Sequence, residues 1–164
     1  MGSDRETRVS HDVHVWPVRV YYEDTDATGF VYHASYLRFA ERARTELART
    51  LGLENSRLMA AQSQPVILPV RRLEVEYHAG ARLDDALEVR THLAAVGGAS
   101  LTFDQMVVRE GLVVARVKVL VACVHRGSGC PVRWPPAMRD RLDAYITRKD
   151  QERPEETRRE QHGA

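Results

Sequence analysis

A short polar segment, residues 22–33, brings together the residue types that acyl-transfer chemistry requires. Asp26 supplies a carboxylate, Gly29 permits a tight turn, and a strongly patterned helix is predicted directly after the segment. The first N–H groups of a helix have no partner inside the helix, and they favour an oxygen that carries negative charge. A nucleophile or base beside such donors is the combination that acyl transfer needs. The segment therefore predicts an acyl-transfer enzyme.

The same segment resembles the signature of a known family. The matching residues, in chain order, are Arg19, Val20, Thr25, Asp26, the run 29–33 (GFVYH) and Tyr36. They are similar to the signature of the 4-hydroxybenzoyl-CoA thioesterase family, and within it to that of the acyl-CoA thioesterases associated with the Tol–Pal system. The resemblance implies a hotdog fold, assembly into dimers or tetramers, and hydrolysis of an acyl-CoA thioester. Phe30 departs from the family, which usually has Ile or Val there, and this departure bears on the size of the acyl group.

Length and composition set broad limits. A chain of 164 residues favours a single domain. Hydrophobic residues make up 43% of the chain and charged residues 29%, and both fractions are ordinary for a globular protein. The net charge of +1 gives no reason to expect nucleic acid or an anionic membrane surface as a partner. No apolar run approaches the roughly 20 residues that span a bilayer, and residues 1–13 lack an apolar signal segment. These features predict a cytoplasmic protein without stable membrane insertion.

Hydrophobic periodicity predicts a strand, one long helix, four more strands and a short helix. Residues 16–23 alternate as a strand does, and the spacing i, i+3, i+4, i+7 predicts a helix from Ala34 to Leu51. Gly52 then suits the left-handed position that ends many helices. The other predicted strands cover 68–78, 86–96, 101–109 and 112–125, and the short helix covers 136–147.

This order of elements predicts an α+β fold with an antiparallel five-stranded sheet. A long helix with a wide apolar arc requires a sheet that wraps around it, and the resemblance implies that this architecture is the hotdog fold. We predict a flexible N-terminal arm at 1–14, a hotdog thioesterase domain at 15–148 and a disordered charged tail at 149–164. The tail contains no large apolar side chain whose burial would offset the entropy cost of ordering it.

Two carboxylates, Asp24 and Asp26, compete for the catalytic role. An aspartate with a pKa of about 3.9 is ionised at neutral pH, so it can attack a thioester carbonyl or deprotonate a water that attacks it. On position alone, a helix cap or an Asx turn explains Asp26 better. The resemblance reverses that balance, because the family's catalytic aspartate matches Asp26 and leaves Asp24 a structural role. Nucleophile and general base both remain open for Asp26.

The resemblance assigns supporting catalytic roles to Tyr22 and His33, whose counterparts contribute to activity. The positive potential at the helix start disfavours imidazolium, so a neutral His33 ring can position water or pass a proton to the leaving thiolate. The main-chain N–H of His33 is the family's candidate for holding the thioester oxygen. The residues alone make His33 an ordinary first-turn residue and Tyr22 a packing residue of a strand.

Substrate binding is predicted for the run Gly29, Phe30, Val31 and Tyr32. Gly29 has a backbone reason to be glycine, either close approach of the thioester carbonyl or a positive φ in the turn. The fork of an arginine suits the phosphates of coenzyme A, although strand arginines are usually solvated surface. The candidates are Arg71, Arg72, Arg109, Arg126 and Arg133.

The sequence as a whole predicts an acyl-CoA thioesterase that releases a free acid and coenzyme A. No metal ligands and no cofactor are predicted, because a thioester needs only a positioned carboxylate and oxyanion donors, and coenzyme A is part of the substrate. The predicted partners are an acyl-CoA and further copies of the chain, as a dimer or a homotetramer. An acyl-carrier-protein thioesterase and a non-catalytic acyl-CoA-binding hotdog module remain as alternatives, and the acyl group stays open.

Overall fold

The computed structural model describes residues 9–10 and 13–152. The strands within these ranges are β1 (Val9–Ser10), β2 (Val13–Arg19), β3 (Val66–Ile67), β4 (Val70–Tyr77), β5 (Ala86–Val96), β6 (Ser100–Arg109), β7 (Leu112–Ala122) and β8 (Val124–His125). The helices are α1 (His33–Thr50), α2 (Asn55–Ala60) and α3 (Pro136–Glu152), with a 3₁₀ turn at Tyr22–Asp24.

One antiparallel sheet organises the chain, with the strand order β1-β2-β5-β6-β7-β4. Its five long strands confirm the predicted α+β fold with a five-stranded antiparallel sheet, and the two-residue β1 is an addition at one edge. The long strand β4 forms the opposite edge, and β3 and β8 make a separate small sheet.

The long central helix α1 begins at His33 and ends at Thr50, within one residue of the predicted bounds. Gly52 follows it with φ +71°, the conformation that its position predicts. Large side chains such as Phe39 and Leu47 are buried between α1 and the sheet, and each contributes about 1.5–3 kcal/mol to folding. Arg38 and other charged residues on the opposite face are exposed, so the sheet of this one chain covers only one face of the helix.

The first predicted strand, residues 16–23, differs from the structure at both ends. The strand β2 begins earlier, at Val13, and ends at Arg19. After it, Val20 N–H donates to the Asp85 carbonyl in a distant loop, 3.0 Å away. The chain then turns, because Asp24 accepts from and donates to the main chain of Tyr21. The alternation of apolar and polar residues in the sequence continues through this turn, and for this reason the pattern places the end of the strand too late.

The chain ends also differ from the predictions. The helix α3 runs to Glu152, past its predicted end and through the first residues of the predicted tail, and residues 153–164 lie outside the described part. The predicted arm 1–14 includes β1 and the start of β2, while residues 1–8 and 11–12 lie outside it. The two-residue strand β1 is defined by main-chain pairing with β2, so no pattern of side chains in the sequence predicts it. Among the described helices, none combines the length and the hydropathy that crossing a membrane requires.

Candidate active site

The segment between β2 and α1 folds back on itself. Asp26 N–H donates to the Phe30 carbonyl at 3.0 Å, and Tyr32 N–H donates to the Asp24 carbonyl at 2.8 Å. These two hydrogen bonds join residues 24–26 of the loop to residues 30–32. The result places the Asp26 backbone beside the residues that lead directly into α1.

Gly29 makes the reversal possible. Its N–H donates to the Asp26 carbonyl at 3.0 Å, and its φ is +79°. A Cβ built on Gly29 would meet no heavy atom within 4 Å, so space within the chain does not require glycine there. Of the two predicted reasons for this glycine, the structure shows the positive φ, which side chains disfavour.

The Asp26 carboxylate is exposed but held in place. Its Oδ1 accepts hydrogen bonds from the main-chain N–H of Thr28, at 2.8 Å, and from the Thr28 hydroxyl. The hydroxyl and the N–H of Thr28 hold the pKa of Asp26 below its ordinary value, and the charge of His33 adds to this effect. Within the described chain, Oδ2 has no hydrogen-bond partner. Asp26 thus forms an Asx turn and still presents an ionised, oriented oxygen.

Asp24 is the buried carboxylate of the pair. Its side chain is 3% exposed, and Oδ2 accepts the N–H of Tyr21 at 2.9 Å. Its own main-chain N–H donates to the Tyr21 carbonyl at 3.0 Å. Every one of these contacts holds the 3₁₀ turn, which agrees with the structural role expected for Asp24.

The start of α1 presents free N–H groups next to this loop. Tyr32 is the N-cap, and its side chain makes no capping hydrogen bond. The N–H of Tyr32 is taken by Asp24, and that of Ser35 by the Tyr32 carbonyl at 2.8 Å. The N–H groups of His33 and Ala34 have no acceptor inside the helix, and these are the groups that can hold an oxygen with negative charge.

A tether from β4, which sequence reasoning missed, fixes this helix start. The Tyr77 hydroxyl donates to the His33 carbonyl at 2.9 Å, and the Tyr77 ring packs edge-on against Tyr36 at 5.7 Å. The Tyr36 hydroxyl in turn accepts the N–H of Ala81 at 3.0 Å. A tyrosine in an alternating strand carries no local motif, so only the packing of β4 beside α1 reveals this role.

The structure brings Asp26 and His33 together, whereas no hydrogen bond or ring contact among the described residues joins the Tyr22 side chain to either of them. The His33 ring lies 4.3 Å from that of Tyr32, and its charge acts on Asp26. Tyr22 lies in the 3₁₀ turn with its side chain 83% exposed, so its assignment to a packed strand is wrong. Among the described residues, the Tyr22 hydroxyl has no hydrogen-bond partner.

The predicted substrate-binding residues separate into exposed and buried positions. Phe30 is 37% exposed, and its ring lies under the Arg82 guanidinium at 4.2 Å and directly over Gly80. Tyr32 is also exposed. Val31 is buried, and its N–H donates to the Ala81 carbonyl at 2.8 Å, so it orients its neighbours instead of presenting a surface.

The arginines proposed for coenzyme A differ in availability. Three are engaged inside the chain: Arg72 by Glu74, Arg109 by Asp85 and Arg126 by the Met59 carbonyl. Arg71 and Arg133 are exposed, and their guanidinium groups have no partner in the part of the chain that the structure describes. Arg82, which the sequence did not single out, lies over Phe30 beside the site.

A sequence profile of the thioesterase-like superfamily matches residues 20–142, a span that includes the whole loop and all of α1. The chain belongs to this superfamily. The chain is similar to acyl-CoA thioesterase YbgC of Haemophilus influenzae, with 47% identity over 120 residues that cover 73% of this chain and 87% of that protein. Acyl-CoA thioester hydrolase YbgC of Escherichia coli is 52% identical over 110 residues, which cover 66% of this chain and 80% of the relative.

Solved thioesterase structures share the same architecture. The DHNA-CoA thioesterase from Staphylococcus aureus superposes with a TM-score of 0.78 and 18% identity, covering 87% of this chain and 96% of that one. Similarity at this identity concerns the fold alone. It confirms the predicted hotdog fold for this member of the thioesterase-like superfamily.

Proposed function

We propose that the chain is an acyl-CoA thioesterase, which hydrolyses an acyl-coenzyme A to a free acid and coenzyme A. The observation that carries this proposal is the Asp26 carboxylate, which is ionised, held by Thr28 through one oxygen and free at the other. It lies on the loop that leads into the open N–H groups of α1. The 52% identity to an acyl-CoA thioester hydrolase over 110 residues supports coenzyme A as the carrier.

The reaction needs one carboxylate and one oxyanion site. In one route Oδ2 of Asp26 attacks the thioester carbonyl carbon, the C–S bond breaks, and water then hydrolyses the resulting anhydride. In the other route Asp26 takes a proton from a water that attacks the same carbon. In both, the His33 and Ala34 N–H groups stabilise the negative carbonyl oxygen. The departing thiolate receives a proton, and His33 is the proposed donor.

Side chains around the loop are proposed to position the substrate. Gly29, Phe30 and Tyr32 lie on the exposed side of the loop, and Val31 supports them from the core. The bulk of Phe30, held under Arg82, narrows the acyl end relative to an aliphatic residue. Tyr22 is proposed to assist from solvent, since its hydroxyl is free to meet the leaving group.

We also propose a homo-oligomer and a cytoplasmic location. In the described part of the chain, β4 pairs with β7 alone and forms a sheet edge whose Val70, Leu73 and Tyr77 side chains are exposed, and such an edge favours pairing with another strand. Because Tyr77 also holds the start of α1, an oligomer built on β4 would place a second copy beside the site. Cys123 and Cys130 are both free thiols, which is typical of a reducing compartment.

The proposed function is tested by following thiol release from acyl-CoAs of increasing chain length, from acetyl to palmitoyl, together with 4-hydroxybenzoyl-CoA. The same acyl groups on acyl carrier protein are assayed in parallel. Faster hydrolysis of the coenzyme A thioesters is the expected result. Hydrolysis confined to the carrier-protein thioesters would favour the carrier-protein enzyme, and tight binding without turnover would favour a binding module.

The contact between Thr28 and Asp26 predicts a pH effect. Since the Thr28 hydroxyl lowers the pKa of Asp26, Thr28→Val is expected to raise that pKa toward the ordinary value of about 3.9. A carboxylate with a depressed pKa stays ionised as the pH falls, so the variant should lose activity at a higher pH than the wild type. An NMR titration of the Asp26 carboxyl carbon and the acidic limb of kcat/KM measure the shift. Identical titrations in both proteins would contradict the assigned role of Thr28.

A further inference from the structure

A cavity lies between the second half of α1 and the sheet, away from the loop of Asp26. Its volume is about 290 Å³. Its apolar walls include Leu47, Leu53, Leu93, Leu101, Phe103 and Leu142. Arg44, which also lines it, follows His33 by eleven residues, or roughly 16 Å along the helix axis. We call this space the α1 cavity, and it is separate from the proposed thioester site of the same chain.

Arg44 is a buried cation at the wall of the α1 cavity. It is 9% exposed, and one of its N–H groups donates to Oε1 of Gln105 at 2.9 Å. The Gln105 amide nitrogen is already used, since it donates to the Ala40 carbonyl and to Thr91. A guanidinium has five N–H donors. In the described part of the chain, Gln105 is the only hydrogen-bond partner of the Arg44 guanidinium.

No carboxylate of the described chain neutralises this charge by an ion pair. Glu41 lies one turn earlier on α1, where it lines the cavity and is exposed. It interacts electrostatically with Arg44 but forms no ion pair with it. Burial lowers the pKa of Arg44, and Glu41 opposes this effect. A buried charge without a close counter-ion is unfavourable, and a carboxylate could accept two parallel hydrogen bonds from the free side of the guanidinium.

We propose that the α1 cavity binds a medium-chain monocarboxylate, with its headgroup on Arg44 and its hydrocarbon chain among the leucines. Apolar walls with a few placed polar groups are typical of small-molecule sites, and here Glu41, Thr45 and Asn55 line the cavity beside Arg44. A cavity of about 150 Å³ holds benzene, so about twice that volume accommodates roughly a dozen heavy atoms, the size of octanoate or decanoate. Such an acid is the product class of a thioesterase. The identification of this ligand with a reaction product rests on the proposed function, whereas the binding of a carboxylate to the α1 cavity does not.

The test compares octanoate with 1-octanol, which has the same chain length and no charge. Calorimetric titration of the full wild-type chain should show octanoate binding at least about tenfold more tightly than 1-octanol, as expected for hydrogen bonds to a charged group. In Arg44→Met this preference should fall to about one, with little change in the affinity for 1-octanol. Arg42→Met, an exposed arginine on the same helix, is the matched control and should keep the preference.

A second variant separates ligand binding from stability of the fold. Ala48→Leu fills part of the cavity one helical turn after Arg44 and keeps the guanidinium in the chain, so it should weaken the binding of both ligands. If Arg44→Met does not fold, the wild-type preference for octanoate together with weaker binding of both ligands to Ala48→Leu supports the site. Absence of octanoate binding to folded wild type, as when a second copy of the chain fills the cavity, would overturn the proposal. An unchanged preference in folded Arg44→Met would do the same. No thioester is present, so failure of the proposed hydrolysis is a separate result.

Discussion

Asp26→Asn is expected to lower kcat for acyl-CoA hydrolysis by about a hundredfold or more, with the free energy of unfolding nearly unchanged. The amide carries no negative charge, so it can neither attack the thioester carbonyl nor take a proton from water. Its oxygen can still accept the two hydrogen bonds from Thr28, and the side chain is exposed, so the loop should keep its conformation.

The measurement is thiol release across the acyl-CoA panel, with thermal unfolding followed in parallel. Asp84→Asn is the matched control, because Asp84 is an exposed aspartate in a neighbouring loop. Its φ of +66° is one that asparagine tolerates, so activity and stability should both match the wild type. Undiminished turnover in Asp26→Asn would leave the thioesterase in place and remove the mechanism proposed for it.

Asp24→Ala is expected to show the opposite pattern, a loss of stability with retained chemistry. The substitution removes the hydrogen bond from the Tyr21 N–H to the buried Asp24 carboxylate, and a hydrogen bond to a charged group contributes about 1.5–3 kcal/mol. For a protein of this size each kcal/mol corresponds to a fall in Tm of about 2–4 °C. The bond from Tyr32 N–H goes to the main-chain carbonyl of residue 24, so the loop reversal should survive in the folded fraction.

Thermal and denaturant unfolding measure this loss, and kcat is determined at a temperature where the variant is folded. Glu23→Ala, an exposed acidic residue of the same 3₁₀ turn, is the control and should unfold like the wild type. A stable Asp24→Ala protein that has lost turnover as severely as Asp26→Asn would transfer the catalytic assignment to Asp24.

Features with a local physical cause were predictable from the residues. The apolar residues of α1 recur with the period of a helix, so the sequence pattern predicts both ends of α1 to within one residue. The hairpin between β6 and β7 turns at Glu110 and Gly111, which have φ values of +48° and +82°, and a glycine at such a break signals the turn. The preference for Asp26 over Asp24 rests on the family resemblance, whose signature is also local and extends from Arg19 to Tyr36, and the catalytic role stays a prediction.

Features that depend on distant parts of the chain were decided only by the tertiary structure. The alternation around Tyr22 predicted a strand, but the bond from Val20 to the loop at Asp85 and the buried Asp24 carboxylate turn the chain out of the sheet.

Two residues with no local motif were likewise placed by packing. Arg44 belongs to a charged stretch of α1, yet the packing of α1 against β6 buries it against Gln105. Tyr77 alternates like any strand residue, yet it holds the first turn of α1. Sequence periodicity reports which face of an element is apolar, whereas the partner that covers each face is determined by contacts between residues far apart in the chain.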